Sequence, residues 1–419
     1  MPAQPAPRDE SPAVAGRGPW AELLRNRRFL LMEASGTLSG AGYAVYSVSV
    51  LYLAYARTDN LLLAGVVLFI ETGVYTLTFL VAPLVDRAAN KRSVLLVCFP
   101  IQAAAAALLG GGLRTGHLST PLLLGLVLLL AFLWDFVWAV YVVAPRLVVP
   151  PRLLFAADGF GSALSVGSQI GGYAGGGALL FLVGPAGGAF AYFVLLALAA
   201  AVSLPLSLQS PVEQRAPFGR MFLDGWSAFR GRAGRALRRF SALETFYGFA
   251  IALPVLIAPA IAFQRFAAPA AAYGTLVTVY ALGGSLGGLA IGRLNPRGAV
   301  GRVLVIAPLG AAGCLALLVV APSELAVVAA LLGGVGAAAS VRYTAKYTWL
   351  RAAFPPEQLG RIGSNMYLFT GAAGAVASLT IGLLSTHLTL AAIELTDAVA
   401  LAVAGAIALG MPFVRSLAF

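Results

Sequence analysis

Apolar runs long enough to cross a membrane fill most of this sequence. Hydrophobic residues make up 60% of the 419 residues and charged residues only 11%, whereas soluble domains are roughly 25% charged. A membrane-spanning helix needs about 20 apolar residues. Hydropathy, with Pro, Gly and charge as breaks, predicts an all-α polytopic membrane protein. Its twelve predicted spans are 29–56, 61–84, 93–113, 119–144, 157–183, 186–207, 240–264, 270–294, 302–321, 324–350, 362–387 and 390–413.

The two halves of the chain repeat each other. Arg27-Arg28-Phe29 followed by Glu33 recurs 211 positions later, as Arg238-Arg239-Phe240 followed by Glu244. The same shift matches residues of the fourth and tenth spans, which are Asp135 with Lys346, Trp138 with Trp349 and Pro145 with Pro356. Parallel halves of six helices are typical of repeats related by an axis along the membrane normal. We therefore expect a tail, an N-terminal half, a linker and a C-terminal half, at 1–20, 21–207, 208–239 and 240–419.

The basic residues lie mostly on one side of the predicted bundle. Of 28 Lys and Arg residues, Arg57, Arg114 and Arg265 fall in loops of one side, and Arg342 and Lys346 fall within a span. The other 23 are on the opposite side. By the positive-inside rule this predicts a multi-pass protein of the plasma (inner) membrane with both termini in the cytoplasm. The distribution of the basic residues then sets the orientation of the protein in the membrane. No nucleic-acid partner is needed to explain the net charge of +12.

Two polar segments flank or interrupt the spans. Residues 1–20 are rich in Pro and Ala and lack an apolar run, so we expect a disordered cytoplasmic tail. The linker 208–239 has seven arginines, with Phe222, Trp226 and Phe229 at helical spacing. This pattern predicts an amphipathic helix along the cytoplasmic face. A solvated basic linker is the alternative.

Two motifs resemble the major facilitator superfamily. The loop after span two keeps four residues of the family pattern Gly-x-x-x-Asp-Arg-x-Gly-Arg and its basic extension, while alanine replaces both glycines; the four are Asp86, Arg87, Lys91 and Arg92. In span five, residues 167–176 resemble the antiporter pattern Gly-x-x-x-Gly-Pro-x-x-Gly-Gly, with Gly172 in place of the proline. After residue 20 the chain is similar to this family, and most similar to its bacterial macrolide and siderophore exporter branch. The resemblance implies the major facilitator fold, a monomer, and a cytoplasmic latch formed by the four residues of the loop.

Small residues recur in spans five and eight. Gly167, Gly171 and Gly175 share one face of span five, next to Gly176, and Gly284, Gly288 and Gly292 share one face of span eight. Small residues at four-residue spacing let membrane helices approach closely. The resemblance places these two spans at the boundary between the halves, where a smooth surface would permit rocking. Static helix packing is the alternative.

Five charges lie on spans one, four, seven and ten, which line the central cavity in the family. They are Glu33, Asp135, Glu244, Arg342 and Lys346. A charge near the bilayer centre costs about 2.5–3.5 kcal/mol, so these groups should pair or contact water. Our hypothesis is that Asp135 and Lys346 face each other across the cavity as a pair. A static salt bridge, or separate partners for each, are the alternatives.

The acids are candidates for proton coupling. A carboxyl group withdrawn from water takes up a proton more readily. Asp135 and Glu71 should lie deepest and are the first candidates. Glu33 and Glu244 are expected close to the cytoplasmic mouth, either as gate residues paired with Arg or Lys or simply at the membrane interface.

The remaining candidates concern the substrate. Arg342 and Lys346 lie on one helical face, where they could attract an anionic group or neutralise the acids. Aromatic side chains could form the walls of a site for a bulky, partly apolar compound; lipid-interface or core packing is the alternative. These residues are Tyr43, Tyr46, Trp134, Trp138, Tyr247, Tyr343 and Tyr347, with Asn365 as a polar candidate.

The sequence lacks the patterns of catalytic and cofactor sites. No Cys/His/acid cluster has metal-ligand spacing, and no glycine-rich run carries the Lys-Ser/Thr of a phosphate-binding loop. We predict a non-enzyme without cofactors: a secondary active transporter in the lipid bilayer that works by alternating access and exports a hydrophobic or amphiphilic small molecule in exchange for protons. Proton-symport uptake of a polar solute, and a transport-dead relative acting as a sensor or assembly factor, are the alternatives.

Overall fold

The computed structural model describes residues 19–209, 229, 231–251, 253–294, 300–354, 356–411 and 414. Most of the predicted tail (1–18) and of the predicted amphipathic linker (210–228 and 230) therefore lies outside the described residues. Over the described ranges the chain is helical, and its one β-bridge joins Asn90 to Gln209.

The N-terminal half contains nine described α-helices. They are α1 (Pro19–Leu23), α2 (Arg27–Thr58), α3 (Leu62–Tyr75), α4 (Thr78–Arg87), α5 (Lys91–Thr115), α6 (Thr120–Val143), α7 (Pro145–Val148), α8 (Leu154–Val183) and α9 (Pro185–Ser203).

The C-terminal half adds seven more over its described residues. They are α10 (Gly231–Ile251), α11 (Leu253–Arg265), α12 (Pro269–Leu294), α13 (Val300–Val320), α14 (Leu325–Ala353), α15 (Pro356–Leu384) and α16 (Leu390–Gly410).

These helices confirm the all-α polytopic fold. Eleven helical segments of the described chain are long and apolar enough to cross a membrane, and α3 is a shorter apolar helix in the second span. The second predicted span is divided between α3 and α4. The seventh is described as α10 and α11, which lie on either side of residue 252, outside the described residues.

The start of the seventh span differs from the prediction. Helix α10 begins at Gly231 rather than near 240, so residues 231–239 belong to this helix and not to a separate linker. Four arginines lower the mean hydropathy of 231–239. A helix can continue through such a charged segment, but a hydropathy window detects only its apolar part.

Side-chain caps and left-handed residues end several helices. The Asn26 side chain accepts a hydrogen bond from the Phe29 N–H at 3.1 Å, and Ser119 and Thr389 cap α6 and α16 in the same way. Helix α5 ends at Gly116, whose φ of 71° suits a residue without a Cβ atom.

The two halves contact each other through two equivalent pairs of helices. Helix α3 packs against α15, and α8 packs against α12. In order of spans these pairs are two with eleven and five with eight, which the repeat interchanges. The backbone of Gly65 lies against Ser378 and Gly382, and Gly177 lies against Gly274. Glycine at these positions allows the halves to approach closely.

The predicted packing glycines of α8 are confirmed at one position of four. Gly176 packs on α2, as does Gly172, whereas space beside Gly167, Gly171 and Gly175 is open within the described structure. In α12, the predicted Gly284 and Gly288 lie against α14 of the same half, and Gly283 and Gly287 approach that helix more closely. Four-residue spacing establishes that residues share a face, but the position of the neighbouring helices decides which face is packed.

Candidate functional site

A cavity of about 870 Å³ lies in the N-terminal half, between α2, α3, α6 and α8. Four carboxylic acids contribute to its wall: Glu33, Glu71, Asp135 and Asp158. Among the described residues that line it there is no Lys, Arg or His. Its aromatic residues are Tyr43, Tyr75, Trp134, Trp138, Tyr141 and Tyr173. The cavity is therefore acidic and aromatic at once.

The cavity extends along the first half of α2. Its wall includes residues from Met32 to Ser47 of this helix, a rise of about 22 Å. Along the second half of α2 the two halves of the protein contact each other instead. The Tyr52 and Phe263 rings lie 4.8 Å apart, and Gln264 donates a hydrogen bond to the Tyr55 hydroxyl at 3.1 Å.

Glu71 and Asp135 form the inner pair of carboxyl groups. Glu71 is 8% exposed and Asp135 is 1% exposed. In the described structure, one oxygen of each, Glu71 Oε1 and Asp135 Oδ2, has no hydrogen-bond partner. The Tyr46 hydroxyl lies beside Glu71, and the Thr78 side chain lies beside Asp135. A buried carboxylate without a cationic partner is costly, so these groups favour a proton or a bound cation.

Glu33 and Asp158 form the outer pair. Gly161 leaves room for Glu33, since a Cβ atom there would come within 2.9 Å of the carboxyl group. The charged neighbour of Glu33 is Asp158, so in the described part of the chain Glu33 has no Arg or Lys partner, contrary to the gate prediction. Asp158 was missed, although it lies at the start of the predicted fifth span.

Three charged residues of the C-terminal half form one ion cluster. Arg342 Nη2 lies 2.6 Å from Glu244 Oε1, and Lys346 Nζ lies 3.3 Å from Glu244 Oε2. All three residues are buried. The Arg342 guanidinium also lies over the Tyr247 ring, 3.6 Å from its centroid. This is a compact ion cluster that faces an aromatic ring.

This cluster corrects one sequence-based prediction and agrees with another. Lys346 pairs with Glu244 and not with Asp135. Glu244 has the Arg and Lys partners that the gate prediction expected, and its side chain is buried.

A group of tyrosines joins the two halves beside Lys346. Its Nζ atom lies 5.1–5.5 Å from the ring centroids of Tyr343, Tyr347 and Tyr367. Tyr367 meets Tyr75 of the cavity wall edge to face, with ring centroids 5.5 Å apart. The predicted Tyr343 and Tyr347 are thus placed near the cavity, whereas Tyr75 and Tyr367 were missed. Tyr75 could have been found, because it lies one turn from Glu71 in the same span.

The last helix carries two acids that the sequence analysis overlooked. Arg265 binds Glu394 through both carboxylate oxygens, at 2.7 and 2.8 Å. Asp397 is fully buried, and neither of its oxygens has a hydrogen-bond partner in the described structure. Both acids lie inside the predicted span 390–413, so the rule applied to the other charged spans would have identified them.

The remaining predicted site residues have the following places. Tyr43 stacks on Trp134, with ring centroids 4.5 Å apart, and lies 5.9 Å from Tyr46. Trp138 lines the cavity and is 39% exposed. Asn365 is buried, and in the described chain its Nδ2 atom has no hydrogen-bond partner.

Lys91 of the predicted latch is buried. Its Nζ atom donates to the carbonyls of Val85 and Ala88, at 2.9 and 3.1 Å, at the end of α4. Arg87 is exposed and Arg92 is half-buried, while the side chain of Asp86 lies outside the described residues. Lys91 therefore holds the end of α4, and the latch as a whole stays a prediction.

Comparisons with known proteins identify the fold. No protein-family model matches the sequence, and no curated protein matches it. The nucleoside transporter NupG matches with a TM-score of 0.72 and 11% identity, over 91% of this chain and 98% of that one. An auto-inhibited POT family peptide transporter matches at 0.74 and 13%, over 94% and 98%. A bacterial homolog of the human lysosomal transporter Spinster, in an inward-facing conformation, matches at 0.67 and 15%, over 94% and 97%. These proteins are transporters rather than enzymes, and the chain has their fold, the major facilitator fold.

Proposed function

We propose that this protein is a secondary active transporter that exports a hydrophobic or amphiphilic small molecule in exchange for protons. The observation that carries the proposal is the cavity of about 870 Å³ with aromatic walls and four carboxyl groups. Its size lies in the usual range of small-molecule sites, roughly 300–1,000 Å³. Such a site suits a bulky compound with apolar surface.

The packing of the halves supports alternating access. The halves meet along α3 with α15 and along α8 with α12, where Gly65, Gly177, Gly274 and Gly382 bring backbones together. We infer that these glycine contacts let one half rock against the other around a fixed site. The contact along the second half of α2 would open as the cavity closes.

Glu71 and Asp135 are the proposed proton carriers. Both face the cavity, both are buried, and neither has a basic partner among the described residues that line it. When either carboxyl group is protonated, the cost of burying its charge disappears. When it is deprotonated, the carboxylate can act as the counter-ion of a substrate or take up the next proton. Glu33 and Asp158 would pass protons between this inner pair and the cavity mouth.

The proposal is tested in proteoliposomes. The purified protein is reconstituted with a pH-sensitive dye inside, and candidate amphiphiles are added with and without an imposed pH gradient. We expect substrate-induced proton flux that disappears in Asp135→Asn. Substrate movement that is indifferent to the pH gradient, or full activity in Asp135→Asn, contradicts proton coupling through this residue.

Uptake of a polar solute by proton symport is the second candidate. Structural neighbours named for nucleosides, for peptides and for 5-aminolevulinic acid favour it. The relative direction of proton and substrate movement separates the two candidates. In everted vesicles, an exporter accumulates substrate when the lumen is acidified, whereas a symporter releases it.

A further inference from the structure

The inner part of the cavity combines unpartnered carboxyl oxygens with aromatic rings. Glu71 and Tyr75 lie one turn apart on α3, and both line the cavity. Tyr43 and Trp134 stack nearly parallel, with 15° between their planes, on the same wall. Asp135 adds a second carboxyl group from α6. Rings with acids between them are the elements that recognise quaternary ammonium groups and similar cations.

Further tyrosines lie at this wall and behind it. Tyr173 of α8 lines the cavity. The buried Tyr46 of α2 and Tyr192 of α9, which do not line it, stack with ring centroids 5.2 Å apart. Among the described lining residues there is no Lys, Arg or His.

Comparison of the two repeated halves shows that the acidic character of the cavity belongs to the N-terminal half alone among the positions compared. Moving back 211 positions from Glu244, Arg342 and Lys346 gives Glu33, Ala131 and Asp135. All three N-terminal residues line the cavity. In the C-terminal half two cations neutralise one acid, whereas in the N-terminal half an alanine and an acid occupy the positions of the cations. The cavity thus retains the carboxyl groups without their internal partners.

We propose that the inner cavity binds an organic cation, with the Glu71 carboxylate as its counter-ion and Tyr43, Trp134 and Tyr75 as its aromatic walls. The inference rests on the proposed function, because it names the class of compound that the transporter carries. The ligand is a monovalent ammonium or phosphonium centre bearing apolar groups. Asp135 supplies the second negative charge of the site.

Other ligand classes fit this wall less well. An anion would meet four carboxyl groups without a basic residue among the described lining. A metal ion needs several close oxygen or nitrogen ligands, and the described residues contain no group of three or more His, Cys, Asp or Glu that could hold one. A neutral apolar compound would leave the unpartnered oxygens of Glu71 and Asp135 in contact with hydrocarbon.

Equilibrium binding of tetraphenylphosphonium to the full chain in nanodiscs tests the proposal. Tetraphenylborate has nearly the same size and shape but the opposite charge, and empty nanodiscs report binding to lipid. The two ions precipitate with each other, so each is measured in separate samples. We expect saturable binding of radiolabelled tetraphenylphosphonium at one site and no saturable binding of tetraphenylborate. Absence of saturable cation binding, or equal saturable binding of the anion, overturns the proposal.

Two pairs of variants locate the site. Glu71→Gln should weaken binding about tenfold or more, which corresponds to 1.4 kcal/mol or more. Asp59→Asn removes one acid from an exposed loop, where asparagine tolerates the φ of 51°, and should leave affinity unchanged. Tyr43→Leu should weaken binding about threefold to tenfold, whereas Tyr43→Phe keeps the ring and should bind like the wild type.

Each outcome decides between the explanations. Equal affinity in Glu71→Gln and the wild type overturns the role of Glu71. If Glu71→Gln does not fold, the two Tyr43 variants decide. An equal loss of affinity in Tyr43→Leu and Tyr43→Phe overturns the role of the aromatic wall. Exchange of protons for a neutral compound by a protein that does not bind tetraphenylphosphonium overturns this inference alone. Binding of the cation by a protein without proton flux overturns the proposed function alone.

Discussion

Lys346 Nζ lies 3.3 Å from Glu244 Oε2, in a cluster where Arg342 binds the other oxygen of the same carboxylate. One carboxylate therefore binds both Arg342 and Lys346, and neither cation pairs with Asp135. The consequence lies in the other half, where the cavity acids have no basic partner among the described lining residues. This asymmetry between two repeated halves underlies the function that we propose.

Glu244→Gln should destabilise the protein strongly. It leaves two buried cations without their carboxylate partner, and removal of one member of a buried ion pair typically costs about 3–5 kcal/mol. Thermal unfolding in detergent, followed by tryptophan fluorescence, measures the loss. Asp59→Asn, an equal charge change at an exposed loop, is the control. An unchanged Tm in Glu244→Gln would show that the cluster is hydrated rather than buried.

Asp135→Asn should abolish proton-driven transport and leave the fold intact. The amide is nearly isosteric with the carboxyl group but does not exchange a proton. Because Asp135 forms no ion pair in the described structure, its replacement leaves no cation unpaired. Monodisperse elution together with loss of substrate-induced proton flux is the expected result. Retained flux would assign coupling to Glu71 or another acid.

Gly177→Val should disturb the contact between the halves, whereas Gly167→Val should not. A side chain at Gly177 meets the backbone of Gly274 on α12, but space beside Gly167 on the same helix is open. Overpacking of this kind typically costs about 1–3 kcal/mol. Thermal unfolding and transport rate measure the difference between the two variants. Equal behaviour would place the contact of α8 with α12 elsewhere.

The predicted cytoplasmic position of the termini is tested by cysteine labelling. In a background with Cys98→Ala and Cys314→Ala, Arg152→Cys and Asp59→Cys place single thiols at exposed positions before α8 and after α2. A membrane-impermeant maleimide added to intact cells should label Asp59→Cys and spare Arg152→Cys. The reverse pattern would invert the assigned topology.

Several features of the site were accessible from the sequence, and others were not. The family resemblance placed Glu33, Asp135, Glu244 and Lys346 on cavity helices; Glu33 and Asp135 line the cavity, whereas Glu244 and Lys346 do not. Asp397 and Glu394 were overlooked although they lie in an apolar span. The partner of Lys346 could not be read from the sequence, since Asp135 and Glu244 are both acids on predicted cavity helices, and only the tertiary structure brings Glu244 within 3.3 Å of Lys346.

The sequence alone determined the helical segments, the duplication and the all-α polytopic fold. In a membrane each backbone polar group must be satisfied within its own helix, so the apolar length of a segment decides its structure locally. Only the tertiary structure decided that Glu244 binds both cations, that Gly177 rather than Gly167 meets α12, and that four acids share one cavity. These relationships depend on how each helix is rotated and how deep it lies against its neighbours, and both are set by packing between distant parts of the chain.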